Sequence, residues 1–346
     1  MEDMLQQRDL LLSIPREKAE LLAFLEKHHL HPEDDLTYAT VLVNEDEEIM
    51  ACGATNGRLL KCFAVDEELR GCNALGRLVN TLTTHCMQRG CFNPMVVTRA
   101  HNVPLFENCA FQCVAKTAEV GLLERIPGGA RRFAAAFLEP SDAGKTIGAI
   151  VMNANPFTKG HRYLAEQAAA QCDVLHIFVV EEDRSAFPFA DRLELVRQGT
   201  ADLENVRVHA GGPYIISEAT FPRYFLKATD DAAVMQTELD AEVFATGIAP
   251  ALHITKRFVG TEPNCGLTDQ YNRSMQKVMP KYGIELVEIP RVESGDAAIS
   301  ASRVRAALME SDDPDALAEL LPSTTLAYLK SRQGREVIDK LRAINK

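Results

Sequence analysis

A surplus of positive charge is missing from this chain of 346 residues: 37 Lys and Arg stand against 49 Asp and Glu, a formal net charge of −12 at pH 7. Such a surface repels phosphate backbones, which argues against general nucleic-acid binding, so any phosphate site must be a local concentration of donors. No apolar run approaches the roughly 20 residues that cross a bilayer. The start, Met1-Glu2-Asp3-Met4, has no positively charged leader region. A cytoplasmic protein with no membrane or nucleic-acid partner is expected. There are nine cysteines, an odd number, and no C-x-x-C pair among them, so the usual zinc-ribbon spacing is missing. Seven precede residue 114, mostly in apolar runs such as Ile49-Met50-Ala51-Cys52, the pattern of reduced core thiols. A G-x-G-x-x-G, an internal repeat and low-complexity sequence are also lacking. Gly144-Lys145-Thr146 imitates the end of a phosphate loop, but position 139 is Glu where a glycine is required. The tripeptide also precedes a strand-like run instead of following one.

What is present suits a globular protein with an ordinary core: 46% hydrophobic and 25% charged residues. The length suggests two domains with a helical tail. Leu21, Leu22, Phe24 and Leu25 give residues 16–28 the apolar face of a helix. Strand-like runs follow at 37–43, 48–55 and 58–65, punctuated by Asn44-Glu45-Asp46 and by Asn56-Gly57, a hairpin signal. A helix over about 72–89, a strand at 95–98, a short helix near 102–109 and a strand over 111–120 complete the order α-β-β-β-α-β-α-β. Breaks at Ile126-Pro127-Gly128-Gly129 and Pro140-Ser141-Asp142-Ala143-Gly144 mark a boundary. Beyond it, Ile147–Met152 is a continuous apolar run, the look of a strand buried on both faces of a parallel sheet. Helices near 159–171, 190–199, 268–279 and from Ser302 alternate with strands at 174–180, 206–209, 257–260 and 284–289, which argues for a doubly wound α/β domain. Residues 314–346 read as helical, broken at Leu321-Pro322-Ser323. The expected fold class is therefore α/β. It comprises an α+β domain over 1–125, a linker over 126–145, a doubly wound parallel-sheet domain over 146–312 and a helical tail over 313–346.

Asn153-Ala154-Asn155-Pro156-Phe157-Thr158-Lys159-Gly160-His161 follows that first buried strand and opens a helix. This places it at the carboxyl edge of the sheet, where such folds bind ligands. Gly160 lets backbone approach a phosphate, and the helix start points free N–H groups and a positive dipole end at an anion. Thr158 offers a hydroxyl, and His161, one turn on, an imidazole that can donate as charge builds on a phosphate oxygen. About 140 residues later, Ile299-Ser300-Ala301-Ser302-Arg303-Val304-Arg305 again follows a strand and opens a helix. Two hydroxyls, helix-end amides and Arg305 make an anion nest.

This pair of segments resembles the nucleotidyltransferase superfamily, whose signatures are (His/Thr)-x-Gly-His and Ile-Ser-x-Ser-x-x-Arg. The resemblance implies ATP bound with its α-phosphate at His161 and its β,γ-phosphates near Ser300, Ser302 and Arg305. It implies catalytic roles for His161 and Thr158, nucleotide contacts from Asn153, Asn155, Phe157, Lys159 and Gly160, and Mg²⁺ on the phosphates, with no metal held by the protein alone. Four further stretches narrow the likeness: Val179-Val180-Glu181-Glu182-Asp183-Arg184-Ser185-Ala186-Phe187-Pro188-Phe189-Ala190-Asp191-Arg192, then Tyr214-Ile215-Ile216-Ser217-Glu218-Ala219-Thr220-Phe221-Pro222, then Val259-Gly260-Thr261-Glu262-Pro263, and finally Pro322-Ser323-Thr324-Thr325-Leu326-Ala327-Tyr328-Leu329. They look like the acetate:citrate-lyase ligase family. That resemblance implies ATP-dependent acetylation, through acetyl-adenylate, of the thiol prosthetic group on the acyl carrier subunit of citrate lyase, with release of AMP and pyrophosphate. An adenylyltransferase acting on a phosphomonoester, such as phosphopantetheine or nicotinamide mononucleotide, is the alternative. Glu181, Glu182, Asp183 and Arg184 read as a solvated loop at a strand end; Arg223 and Lys227 are candidates for an acidic partner or a phosphate.

The first domain resembles the GNAT acetyltransferase fold. Leu69-Arg70-Gly71-Cys72-Asn73-Ala74-Leu75-Gly76 occupies the place of its pyrophosphate loop, and Asn102 with Leu105-Phe106-Glu107-Asn108-Cys109-Ala110-Phe111 that of a late signature. Asn73 and Leu75 replace two small residues of the loop pattern and would crowd a pyrophosphate, and Phe106 stands where a proton-donating tyrosine is usual. The expectation is a docking or coenzyme-arm-binding role instead of catalysis. His28, His29 and His31 cluster at a helix end, where placement near the negative dipole end accounts for them without a metal.

Overall fold

The computed structural model describes residues 5–31, 34–69, 71–181, 185–216, 230–261, 266–295, 297–310 and 313–344. In chain order the first elements are β1 (Gln6–Leu10), α1 (Pro15–Lys27), β2 (Tyr38–Val43), β3 (Ile49–Thr55), β4 (Leu59–Val65), α2 (Ala74–Gln88), β5 (Met95–Arg99), α3 (Val103–Glu107), β6 (Gln112–Lys116), β7 (Val120–Glu124) and α4 (Gly129–Ala135). There follow β8 (Ile147–Met152), α5 (Lys159–Ala169), β9 (Val174–Val179), α6 (Phe189–Gly199), β10 (Val206–Ala210), α7 (Asp230–Val243), α8 (Ala249–Leu252), β11 (Ile254–Gly260), α9 (Gly266–Val278) and β12 (Glu285–Ile289). The chain closes with β13 (Glu293–Ser294), β14 (Ala297–Ala298), α10 (Ala301–Glu310), α11 (Ser323–Lys330) and α12 (Arg332–Ile344). Two compact units result: residues 1–132 with 218–243, and residues 133–217 with 244–346.

The first unit is built on a seven-stranded sheet of order β1-β2-β3-β4-β5-β7-β6. All its neighbours are antiparallel except β4 and β5, which pair in parallel only at Leu59 with Met95 and Leu60 with Val96. α2 lies on β2, β3 and β4, burying Leu78, Val79 and Leu82. This is the α+β, GNAT-like layout. Two elements differ from the sequence reading. β1 precedes α1, because Gln6-Gln7-Arg8-Asp9-Leu10 is a polar edge strand with a single buried residue and carries no apolar alternation. The expected strand over 111–120 is two strands, folded back at a turn where Thr117 Oγ1 accepts from the N–H of Glu119 and of Val120. α7 also packs in this unit, against β6 and β7.

The second unit holds a five-stranded, all-parallel sheet of order β10-β9-β8-β11-β12. It is the doubly wound, Rossmann-like arrangement. The apolar run of β8 is central, flanked by β9, every residue of which is buried. Ile150, Met152, Leu175, Ile177, Val179 and Phe258 join Ala165 and Ala168 of α5 and Leu195 and Val196 of α6 in one core. Each fully buried Leu, Ile or Phe contributes about 1.5–3 kcal/mol. The helical tail is no appendage. Val337, Ile338 and Leu341 of α12 and Leu329 of α11 share a core with Val304 and Leu308 of α10 and with Phe187.

Of eight described cysteines, all free, only Cys52, Cys62 and Cys86 are fully buried. The other five sit at half-buried sites, so the expectation of core thiols holds for a minority. Arg70, Glu182, Asp183, Arg184, Arg223 and Lys227 lie outside the described residues.

Candidate active site

β8 brings the chain to the carboxyl edge of the parallel sheet where connections change sides: β9 lies on one flank and β11 on the other. Such a switch point leaves a crevice for a ligand. The loop that crosses it is strained. Ala154 is buried and has a φ of 49°, a left-handed conformation that costs a residue with a Cβ about 1–3 kcal/mol. Two arginines hold the carbonyls on either side of it. Arg192, fully buried on α6, donates from Nη1 to Asn153 O at 2.9 Å and Oδ1 at 2.8 Å, and from Nε to Phe187 O at 2.9 Å. Arg305, on α10, donates from Nη1 to Asn155 O at 2.6 Å. Arg192 stood within one of the quoted stretches, yet nothing in its local pattern marked it as the loop's internal brace.

The side chains of the first segment then divide by role. Phe157 is fully buried, its ring 5.8 Å from the His161 imidazole and its carbonyl accepting from Thr325 Oγ1 at 2.9 Å. The phenyl ring packs in the core of the second unit. Thr158 is likewise buried, and caps α5. Its Oγ1 accepts from His161 N–H at 3.3 Å and lies 2.9 Å from His161 Nδ1, which also accepts from Thr158 N–H at 3.1 Å. The hydroxyl thus holds His161 in place. Asn155 Oδ1 accepts from Phe187 N–H at 3.0 Å, and Asn153 Oδ1 from Ser185 Oγ at 3.1 Å as well as from Arg192. These two side chains shape the loop, although Asn153 stays exposed. Lys159 N–H donates to Leu320 O at 2.9 Å, and its half-buried side chain makes no ion pair among the described residues.

With two donors converging on Nδ1, the neutral His161 tautomer carries its proton on Nε2. Burial and then the Arg291 charge lower its pKa from 6.5 to about 4. At neutral pH the ring is therefore an uncharged N–H donor held in a fixed orientation.

The second segment meets the first directly. A Cβ added to Gly160 would lie 2.7 Å from Ile299 O, so glycine is needed here for the approach of another strand of backbone. Ser300 Oγ accepts from Arg303 N–H at 3.2 Å, and Arg305 Nη2 donates to exposed Ser302 Oγ at 3.1 Å. The structure therefore unites His161, Gly160, Ser300, Ser302 and Arg305 at one rim. It also brings in Arg291, which the sequence reading missed although it follows a strand at the same edge. Among the described residues, no group of three or more His, Cys, Asp or Glu side chains could hold a metal ion. His28 Nε2 instead lies 3.1 Å from Asp66 Oδ1.

In the first unit the corresponding helix start is plugged. A Cβ on Gly76 would fall 2.1 Å from Asn73 Oδ1, so the Asn73 side chain lies over the first turn of α2.

The family described as citrate lyase ligase C-terminal domain matches residues 147–329. "[Citrate [pro-3S]-lyase] ligase" of Escherichia coli (strain K12) is 42% identical over 322 residues, 91% of each chain. The protein of the same name from Klebsiella pneumoniae is 40% identical over 334 residues, 94% of this chain and 96% of that one. A solved putative acyl-CoA N-acyltransferase from Klebsiella pneumoniae subsp. pneumoniae MGH 78578 covers 35% of this chain and 97% of its own at 18% identity and a TM-score of 0.28, too slight a likeness to add to the topology.

Proposed function

The chain belongs to the citrate lyase ligase family, and from that premise we propose that it activates acetate with ATP and acetylates the thiol prosthetic group on the acyl carrier subunit of citrate lyase, in the cytoplasm. A carboxylate oxygen of acetate attacks the α-phosphorus of ATP, the bond to the bridging β-oxygen breaks, and pyrophosphate leaves. The thiol sulfur then attacks the carbonyl carbon of acetyl-adenylate, AMP departs with the electron pair of the C–O bond, and the thiol proton passes to solvent.

The observation that carries this reading is the convergence of His161 with Ser302 and Arg305, joined by the 2.6 Å bond from Arg305 to Asn155 O and the fit of Gly160 beneath Ile299. Positioning and charge neutralisation are most of what such a phosphoryl centre must supply. Two unit charges about 4 Å apart repel by about 4 kcal/mol at an effective dielectric near 20. Attack of a carboxylate on a phosphate thus needs fixed donors nearby. His161 Nε2–H gives its hydrogen bond to a non-bridging α-oxygen as charge builds there. The serine hydroxyls, the Arg305 guanidinium and the start of α10 receive the β,γ-phosphates. Mg²⁺ in this reading travels on the triphosphate, whose oxygens suit it; the described residues do not make a cage for it, and no step above is assigned to it.

Acetate-dependent exchange of labelled pyrophosphate into ATP tests the proposal. Exchange with acetate, and transfer of label from acetate to the carrier subunit, is the expected result. Exchange that requires a phosphomonoester and ignores acetate would overturn it.

A further inference from the structure

We propose that Arg291 is a contact for the α-phosphate, a positive group of the site that belongs to neither signature segment. The inference rests on the adenylate-forming reading for the nucleotide's identity.

Arg291 follows β12, and its backbone is stitched into the crevice from two sides. On one side, Arg291 N–H donates to Thr261 Oγ1 at 3.3 Å and Nε to Thr261 O at 2.7 Å, just past the end of β11. Thr261 N–H in turn donates to Ile289 O at 3.0 Å. On the other side, the next residue, Val292, accepts through its carbonyl from Ile299 N–H at 3.0 Å. Ile299 is the residue whose own carbonyl presses on Gly160, the immediate neighbour of His161. A half-buried guanidinium is thereby fixed where the carboxyl ends of β11 and β12 meet both signature segments. Its charge is near enough to depress the His161 imidazole.

The division of labour follows from placement. Arg305 spends one nitrogen on Asn155 O and another on Ser302 Oγ, which ties it to the second segment and to the β,γ end of the triphosphate. Arg291 is linked to the His161 side of the crevice through Val292, Ile299 and Gly160, and its charge is felt at the imidazole, which assigns it to the α-phosphate end. A neutral histidine can donate a hydrogen bond but cannot cancel a full charge; an arginine supplies what it lacks.

Binding of adenosine, AMP and ATP to Arg291→Ala, Arg291→Lys and Arg305→Ala, compared by calorimetry on the full chain, decides the matter. Arg291→Ala should weaken AMP and ATP by the same factor, roughly tenfold or more, and leave adenosine unchanged. Arg305→Ala should weaken ATP far more than AMP. Lysine at 291 should restore part of the loss, since it returns the charge without the planar fork. AMP binding unaltered by Arg291→Ala, or adenosine weakened as much as AMP, would overturn the assignment. Neither result depends on acetate, so the failure of this inference and the failure of the ligase reading are separately visible.

Discussion

Helices α2 and α5 each follow a strand and carry a glycine in the first turn, Gly76 in one and Gly160 in the other. What fills the space above each glycine differs. Over Gly76 lies the short, polar side chain of Asn73, from the helix's own N-cap. Over Gly160 lies the main-chain carbonyl of Ile299, which is about 140 residues away in sequence. The first helix start is closed by a local residue; the second is closed against another segment that brings hydroxyls and a guanidinium with it. A glycine at a helix start is thus evidence of close approach, while the identity of the approaching group decides whether a site exists.

Removing the group that α5 presents should have the largest effect. His161→Ala is expected to slow acetate-dependent exchange on the order of 100- to 1,000-fold, as loss of a preorganised donor does, with the circular dichroism spectrum unchanged. Next comes the glycine pair, which tests the comparison itself. Gly160→Ala must displace a backbone carbonyl; we expect a stability loss of about 1–3 kcal/mol in urea titrations and a fall in exchange. Gly76→Ala displaces only the tip of Asn73, which can rotate away, and alanine is the better helix former by about 1 kcal/mol. Its exchange rate should match the parent, and equal losses from the two substitutions would erase the contrast drawn here.

The smallest effect is that of pH. His161 has a folded pKa near 4, below the usual 6.5, so between those values the unfolded chain binds the extra proton and the folded one does not. Stability should therefore decline as pH falls through that window and level off below about 4. Buried His176 and half-buried His209, with Nδ1 of the first 2.9 Å from Nε2 of the second, add to the same trend, since desolvation lowers both. Denaturant midpoints at pH 7 and 5 measure the drop, and His209→Phe should reduce it. A midpoint that rises on acidification would contradict the neutral, doubly acceptor-bonded imidazole assigned to α5.

Much of the second unit could be read in advance because its signals are short-range. The apolar run of β8 shows a strand with two covered faces, and Thr158 followed by a helix shows a cap. The first unit was less legible at its edges. β1 presents four polar residues before Leu10, and the 117–119 turn uses a threonine hydroxyl in place of glycine or proline. α7 went unplaced because the surface that receives it, β6 and β7, lies more than a hundred residues earlier.

The sequence by itself determined which segments could bind a phosphate, since a helix start, its capping residue and its donors are set by neighbours a few positions apart. Only the tertiary structure decided what each of those residues does. Thr158 turned inward to the imidazole, Phe157 became core, Arg192 of α6 and Arg305 of α10 were gathered onto one loop, and Arg291 was tied to Thr261. Most of the acceptors that hold Arg192 and Arg291 are main-chain carbonyls, which every residue carries alike, so no pattern of side chains announced these two; Arg305 was legible in its segment, but not its bond to Asn155 O.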